Sequence, residues 1–191
     1  RDPEDEALLD GEKPLLEMDL VELSSHNVGS AEAEADAILH APEKLKCVQE
    51  SRLDIQSQTG FAHEARRRRH TAQFGKPLPR QPEACRGKVR ETVRPGGVVI
   101  AGACPVNVRT RQKYELEEER LLYDSCRWTM ARLPVGKGRR AVLVDNYYAA
   151  RTTDRKTAIE NNRMLRRLFE AASSRGPVPG IICIDANRPL D

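Results

Sequence analysis

Aromatic side chains are scarce, at 4% of the chain with a single Trp, which argues against a platform on which successive bases stack. Long apolar runs are missing as well. No stretch approaches the roughly 18–20 apolar residues of a membrane span, so the reading is a soluble chain. The five cysteines (Cys47, Cys85, Cys104, Cys126 and Cys183) are odd in number and contain no Cys-x-x-Cys spacing. That pattern argues against both a disulfide framework and a thiolate zinc site. Cys47 and Cys183 lie within apolar runs, where a free thiol acts as a small hydrophobe. The expectation is a reducing, intracellular compartment. The first residues resemble neither a secretory signal nor an Arg-rich, acid-poor transit peptide.

Charge of one sign is nearly balanced by the other, with 32 Lys and Arg against 29 Asp and Glu, a net of +3. It is unevenly placed. Asp2, Glu4, Asp5, Glu6, Asp10, Glu12 and Glu17 make residues 1–18 an acidic, proline-containing lead-in or linker. The remainder is correspondingly more basic, which suits either a polyanionic partner or simply a well-solvated surface. The chain of 191 residues is long enough for one domain with a sizeable core, placed over 19–191. It opens at Arg1 and closes at Asp191, and reads as a piece of something longer or a processed product.

Short dense apolar runs predict the elements. Leu20, Val21 and Leu23 suggest a strand running into Ser24–Asn27, residues 31–39 a short helix of good helix formers, and Leu45–Val48 a second strand. A helix is expected over 58–69, a strand over 71–74, and loop over 75–96, where Pro77, Pro79, Pro82 and Pro95 fall. Strands follow at 97–101, 128–133 and 141–148, with a charged helix or turn over 112–124. The strongest helix is 155–174, capped by Asp154, with Leu165, Leu168, Phe169 and Ala172 on one face and Gly176-Pro177 beyond its end. Ile181–Ile184 then reads as a fully buried strand. Strands alternating with helices indicate a layered α/β or α+β domain.

Three of these strands end in residues suited to metal or phosphate chemistry: Asn27 after the first, Glu50 after the second, Asp185 and Asn187 after the last. Strand ends are where layered α/β folds place their sites. An Asp-x-Asn pair there points both side chains to one side, and together they can hold a water or a phosphate. Glu50 is a hard oxygen ligand, and one carboxylate with several waters is a common way to hold magnesium. Each residue alone also has a plain reading, Glu50 as surface and Asn27 as a turn former. Their joint occurrence makes the case. The Arg66–Arg69 run reads either as a solvated helix terminus suited to the dipole or as a phosphate-backbone contact.

Six ordered landmarks carry a resemblance. Ser25–Ser30 (SHNVGS) is similar to a first-strand motif containing a site Asn, and Val48–Leu53 (VQESRL) to a Q-E-[ST]-R-L segment. Pro95–Val98 resembles a glycine-rich strand opening, Arg127-Trp128 an R-W pair, Asn146–Ala149 (NYYA) an N-x-Y-[AG] motif, and Ile181–Pro189 (IICIDANRP) a G-D-x-N stretch. Together they resemble the endonuclease/exonuclease/phosphatase family, whose members include apurinic endonucleases, pancreatic-type deoxyribonucleases and the endonuclease domains of retrotransposons.

The resemblance implies a four-layer α/β sandwich lacking its C-terminal strands, with a magnesium-dependent phosphodiesterase site at one edge. Glu50 would bind the metal and Asn27 orient it. Asp185 would orient or deprotonate the attacking water, Asn187 would stand near the phosphate oxygens, and Tyr148 would hydrogen-bond the transition state. The chain departs from the family in having Ile184 and Ala186 around Asp185, and in placing His26, His40, His63 and His70 all upstream. The family's catalytic His and later Asp have no counterpart here, so weak or absent turnover is the expectation. The implied partners are nucleic acid or a small phosphoester as substrate, and a protein chain covering the uncovered sheet. A non-catalytic scaffold or accessory subunit in a larger assembly is the alternative.

Overall fold

The computed structural model describes residues 22–85, 88–93, 95–103, 113–135 and 140–187. The expected acidic lead-in lies outside them. Two sheets form the centre. The first has the order β1 (Leu23–Asn27), β2 (Leu45–Gln49), β6 (Val98–Gly102) and β3 (Thr71–Phe74), with β1 and β2 parallel and the other pairs antiparallel. The second has the order β7 (Trp128–Val135), β8 (Arg140–Tyr148) and β9 (Gly180–Asp185). Within it β7 and β8 are antiparallel and β8 and β9 parallel.

Alternation along each strand sorts side chains into three buried layers. Leu45 and Cys47 of β2 and Ile100 of β6 point inward, where they meet Ala131 and Leu133 of β7, Val144 of β8 and Cys183 of β9. The outward set of the first sheet (Val48, Val99, Ala101) packs beneath Ile38 and Leu39 of α1 (Ala35–His40) and Phe61 and Ala65 of α2 (Ile55–Arg67). The outward set of the second sheet (Trp128, Met130, Leu143, Tyr147) packs beneath Leu122 of α3 (Glu117–Asp124) and Met164, Leu168 and Ala171 of α4 (Arg155–Ser174). The result is the expected four-layer order of helices, sheet, sheet and helices.

The sequence expectations hold for most strands and shift elsewhere for identifiable reasons. The segment 75–96 is not loop throughout. It holds a hairpin of β4 (Arg80–Cys85) and β5 (Lys88–Val93), in which Pro82 stands opposite Glu91. A two-stranded ribbon consists only of edges, so a residue without an N–H is tolerated there. α1 begins four residues later than expected, after a turn over 31–34 in which Glu34 N donates to Ser30 O at 3.1 Å. α2 begins three residues earlier, because the Asp54 carboxylate accepts from Ser57 N at 2.8 Å and caps it.

α4 has the predicted bounds and the predicted Asp154 cap, but its buried stripe is Asn161, Met164, Leu168 and Ala171. Phe169 is 52% exposed. β9 is not fully buried either: Cys183 is buried, whereas Ile181 is exposed. Among the described residues β9 pairs only with β8, which leaves it at the border of its sheet. No helix among the described residues is long and apolar enough to cross a membrane.

Candidate functional site

Parity decides which strand-end residues can meet. Asn27 shares the inward face of β1 with Ser25, as Asp185 shares that of β9 with Cys183, and Tyr148 that of β8 with Val144 and Asn146. These ends come together at one rim of the sandwich. Asn27 Nδ2 donates to Asp185 Oδ2 at 2.5 Å, across 158 residues of sequence and from one sheet to the other. Asn187 donates from its backbone N to Asp185 Oδ1 at 3.1 Å and from Nδ2 to Asp185 Oδ2 at 3.3 Å. Its Nδ2 also reaches Ala149 O at 2.7 Å, and Ala149 N donates to Asp185 O at 2.8 Å.

The Asp-x-Asn pair therefore meets by a different route from the one its spacing suggests. The strand stops at Asp185, and Asn187 turns back with φ of +44°. Asn accepts this left-handed backbone more readily than most residues because its short amide bonds locally.

Glu50 stands at the end of β2 with φ of +54°, and Arg52 follows with φ of +51°. The strain of two such residues is offset by a glycine corner. Ser51 N donates to Gly97 O at 3.1 Å and Arg52 N to Gly96 O at 2.9 Å. A side chain at Gly97, at φ of +83°, would be strained, and its Cβ would stand 2.8 Å from Ser51 Oγ. The ring of Tyr148 lies against the same corner, 3.7 Å from where a Cβ on Gly96 would be. Glu50 Oε1 accepts from Arg52 Nη2 at 2.7 Å, in a pair open to solvent.

Tyr148 is buried, and its hydroxyl titrates above the ordinary tyrosine value. Burial is the main cause, followed by the negative charges of Glu50 and Asp185; a hydrogen bond with Asn187 opposes them. The phenol thus remains a proton donor through the neutral range, with both carboxylates nearby. Asn27, Glu50, Tyr148, Asp185 and Asn187 accordingly occupy one rim. The four histidines do not. His26 bonds Ser24, His40 and Arg68 pair with each other and with Asp36, His70 bonds Arg68 O, and His63 is on α2.

Beneath the rim lies a polar layer to which the sequence reading gave no role. Asn146, fully buried, donates from Nδ2 to Val48 O at 2.9 Å and Val99 O at 2.8 Å, and accepts from Gln49 Nε2 at 2.6 Å. Gln49 Nε2 also donates to Ser25 Oγ at 2.9 Å. Strands β1, β2, β6 and β8 are thereby tied together directly under Asn27, Glu50 and Tyr148. Asn161 on α4 holds the segment after Tyr148, accepting from Ala150 N at 3.1 Å and donating to Ala150 O at 2.7 Å. Polar residues with inward parity beside a strand-end motif were the available signal. Of the arginine run, Arg68 is a structural tie to Glu64 and Asp36 rather than an outward-facing cation.

The donor set at the rim is one of hard oxygens, Glu50 and Asp185 with neighbouring amides. Among the described residues no group of three or more His, Cys, Asp or Glu converges. That composition fits a magnesium-like cation held by one or two carboxylates and keeping its waters, and does not fit a closed zinc site.

No protein-family model matches the chain, and no curated protein matches it in sequence. Solved structures do match it in fold. An AP endonuclease from Archaeoglobus fulgidus superposes with a TM-score of 0.61 over 90% of this chain and 59% of its own, at 16% identity. An endonuclease/exonuclease/phosphatase from Beutenbergia cavernae gives 0.60 over 87% of this chain and 47% of its own, at 15% identity. A 3'-5' exonuclease from Neisseria meningitidis gives 0.54 over 85% and 56%, at 14% identity. At such identities the likeness is one of fold: the chain has the endonuclease/exonuclease/phosphatase architecture. It spans between 47% and 59% of the lengths of these three structures.

Proposed function

We propose that this chain carries the nucleophile-activating half of a magnesium-dependent phosphodiesterase site whose substrate is nucleic acid. The observation that supports it most is the bond of Asn27 Nδ2 to Asp185 Oδ2 at 2.5 Å, which joins two sheets at the rim where Glu50 and Tyr148 also stand.

In this reading Asp185 accepts the proton of the attacking water, and Asn27 and Asn187 fix the direction of its carboxylate. Tyr148, kept protonated by its surroundings, donates to a phosphate oxygen as charge develops there. Glu50 is the metal ligand, its carboxylate presented by the glycine corner. A bound magnesium would neutralise charge on the scissile phosphate. That the fold neighbours are an AP endonuclease, an endonuclease/exonuclease/phosphatase and a 3'-5' exonuclease supports a phosphodiester substrate.

A second reading, a non-catalytic derivative serving as a scaffold or accessory subunit, is favoured by one observation. All four histidines of the chain lie away from the rim. The two readings separate in one assay, cleavage of a supercoiled plasmid and a labelled oligonucleotide with magnesium or with chelator. The first expects slow, magnesium-dependent cleavage that falls at least about 100-fold in Asp185→Ala and Asn27→Ala. Metal-independent cleavage, or cleavage indifferent to Asp185→Ala, refutes it. No cleavage above buffer favours the second.

A further inference from the structure

The core between the two sheets contains two thiols that the proposed chemistry does not use. Cys47 on β2 and Cys183 on β9 are both free and both buried. They belong to the same inter-sheet cluster, alongside Ile100, Ala131 and Val144. Each projects inward from its own sheet, and the two thiols lie within electrostatic reach of each other. Contacts across facing sheets are where β-sandwiches place inter-sheet disulfides. The thiols are not equivalent. Cys47 is completely enclosed, whereas Cys183 is not. Cys183 is 7% exposed on a border strand whose neighbour Ile181 is exposed, which gives a small oxidant a way in.

We propose that Cys47 and Cys183 are a redox pair that closes to an inter-sheet disulfide on reaction with a two-electron oxidant of the peroxide class. The Cys183 thiolate attacks one peroxide oxygen, the O–O bond breaks, and the departing hydroxide takes a proton to leave as water. The resulting sulfenic acid is attacked by the Cys47 sulfur, whose proton accompanies the hydroxide released as the S–O bond breaks. The S–S bond forms and a second water leaves. The two electrons given up by the thiols reside in the two waters. Cys47 lies three residues before Glu50 and Cys183 two before Asp185. Closure therefore fixes the spacing of the two strands that present those carboxylates, whatever reaction they serve.

The test uses the full chain with Cys85, Cys104 and Cys126 replaced by Ser, so that this pair alone remains. After equimolar hydrogen peroxide, thiols are blocked with N-ethylmaleimide in denaturant, and the intact mass and peptide map are read. The expected result is a monomer lighter by two hydrogens, with no alkylation. Its map should contain one linked peptide joining Cys47 to Cys183, and dithiothreitol should restore two alkylatable thiols. The same linked peptide is sought in the unsubstituted chain, which covers a failure of the triple variant to fold. Full alkylation of both thiols after peroxide overturns the proposal. So does oxidation of one cysteine to sulfinic or sulfonic acid without linkage, or linkage only between chains.

Discussion

Two adjacent tyrosines on β8 face opposite ways, and their surroundings give them different chemistry. Tyr148 points toward the rim carboxylates, whereas Tyr147 points into the helix-covered core and is fully buried. Burial pushes the Tyr147 hydroxyl up to about 12 from its ordinary 10.0. The sign of the consequence follows from linkage. Above pH 10 the unfolded chain surrenders this proton while the folded chain keeps it, so stability falls as pH climbs toward 12. Tyr147→Phe removes that contribution. In urea titrations at pH 9 and pH 12 the variant should lose about 2–3 kcal/mol less than the unsubstituted chain over that interval. Equal losses would mean that the hydroxyl is solvated. Asn27, Glu50, Asp185 and Asn187 were legible as strand-end residues, and Tyr148 through the motif that Asn146–Ala149 resembles. The polar layer under them was not, because Gln49, Asn146 and Asn161 differ from surface amides only in what the tertiary fold places against them.

Elements were legible where one interaction dominated. β2, β6 and β8 are dense apolar runs, and their sequence places them to within a residue. α4 is bounded by a cap at Asp154 and by Gly176-Pro177, and both ends were found. What failed depended on longer-range contacts. The β4–β5 hairpin hides behind prolines because an isolated ribbon accepts them, and the α4 stripe is rotated because Asn161 faces inward to hold Ala150. For α2 the deciding feature is its cap. Asp54 accepts from Ser57 N at 2.8 Å and also pairs with Arg80, and the Ser57 bond is the first cause that holds its carboxyl below the usual 3.8. Asp54→Ala is expected to cost about 1 kcal/mol at neutral pH. A group with a depressed pKa contributes stability above its unfolded value and loses it as pH falls. The deficit of the variant should therefore shrink below about pH 4, as followed by helix circular dichroism during urea unfolding. A deficit unchanged at pH 2.5 would assign the loss to packing.

At the scale of the whole molecule, two sheets from distant parts of the chain are held face to face by an aliphatic core and, at one rim, by amides. Asn146 satisfies carbonyls on β2 and β6 from a position on β8. Asn146→Leu leaves both carbonyls and Gln49 Nε2 without that partner, and should destabilise the fold by about 3 kcal/mol. Any cleavage activity should fall by more than the folded fraction does. A variant whose activity simply tracks its folded fraction would limit Asn146 to holding the fold together. The alternation of strands and helices announced only a layered domain, and the four-layer arrangement was legible through the resemblance that the six ordered motifs carry.

The rim draws Asn27 and Glu50 from one slab and Tyr148 and Asp185 from the other, so it is a caliper whose jaws are set by the thickness of the filling between them. Ala131, the smallest side chain of that filling, is completely enclosed. Enlarging it by a few methylenes would open the jaws without touching any residue at their tips.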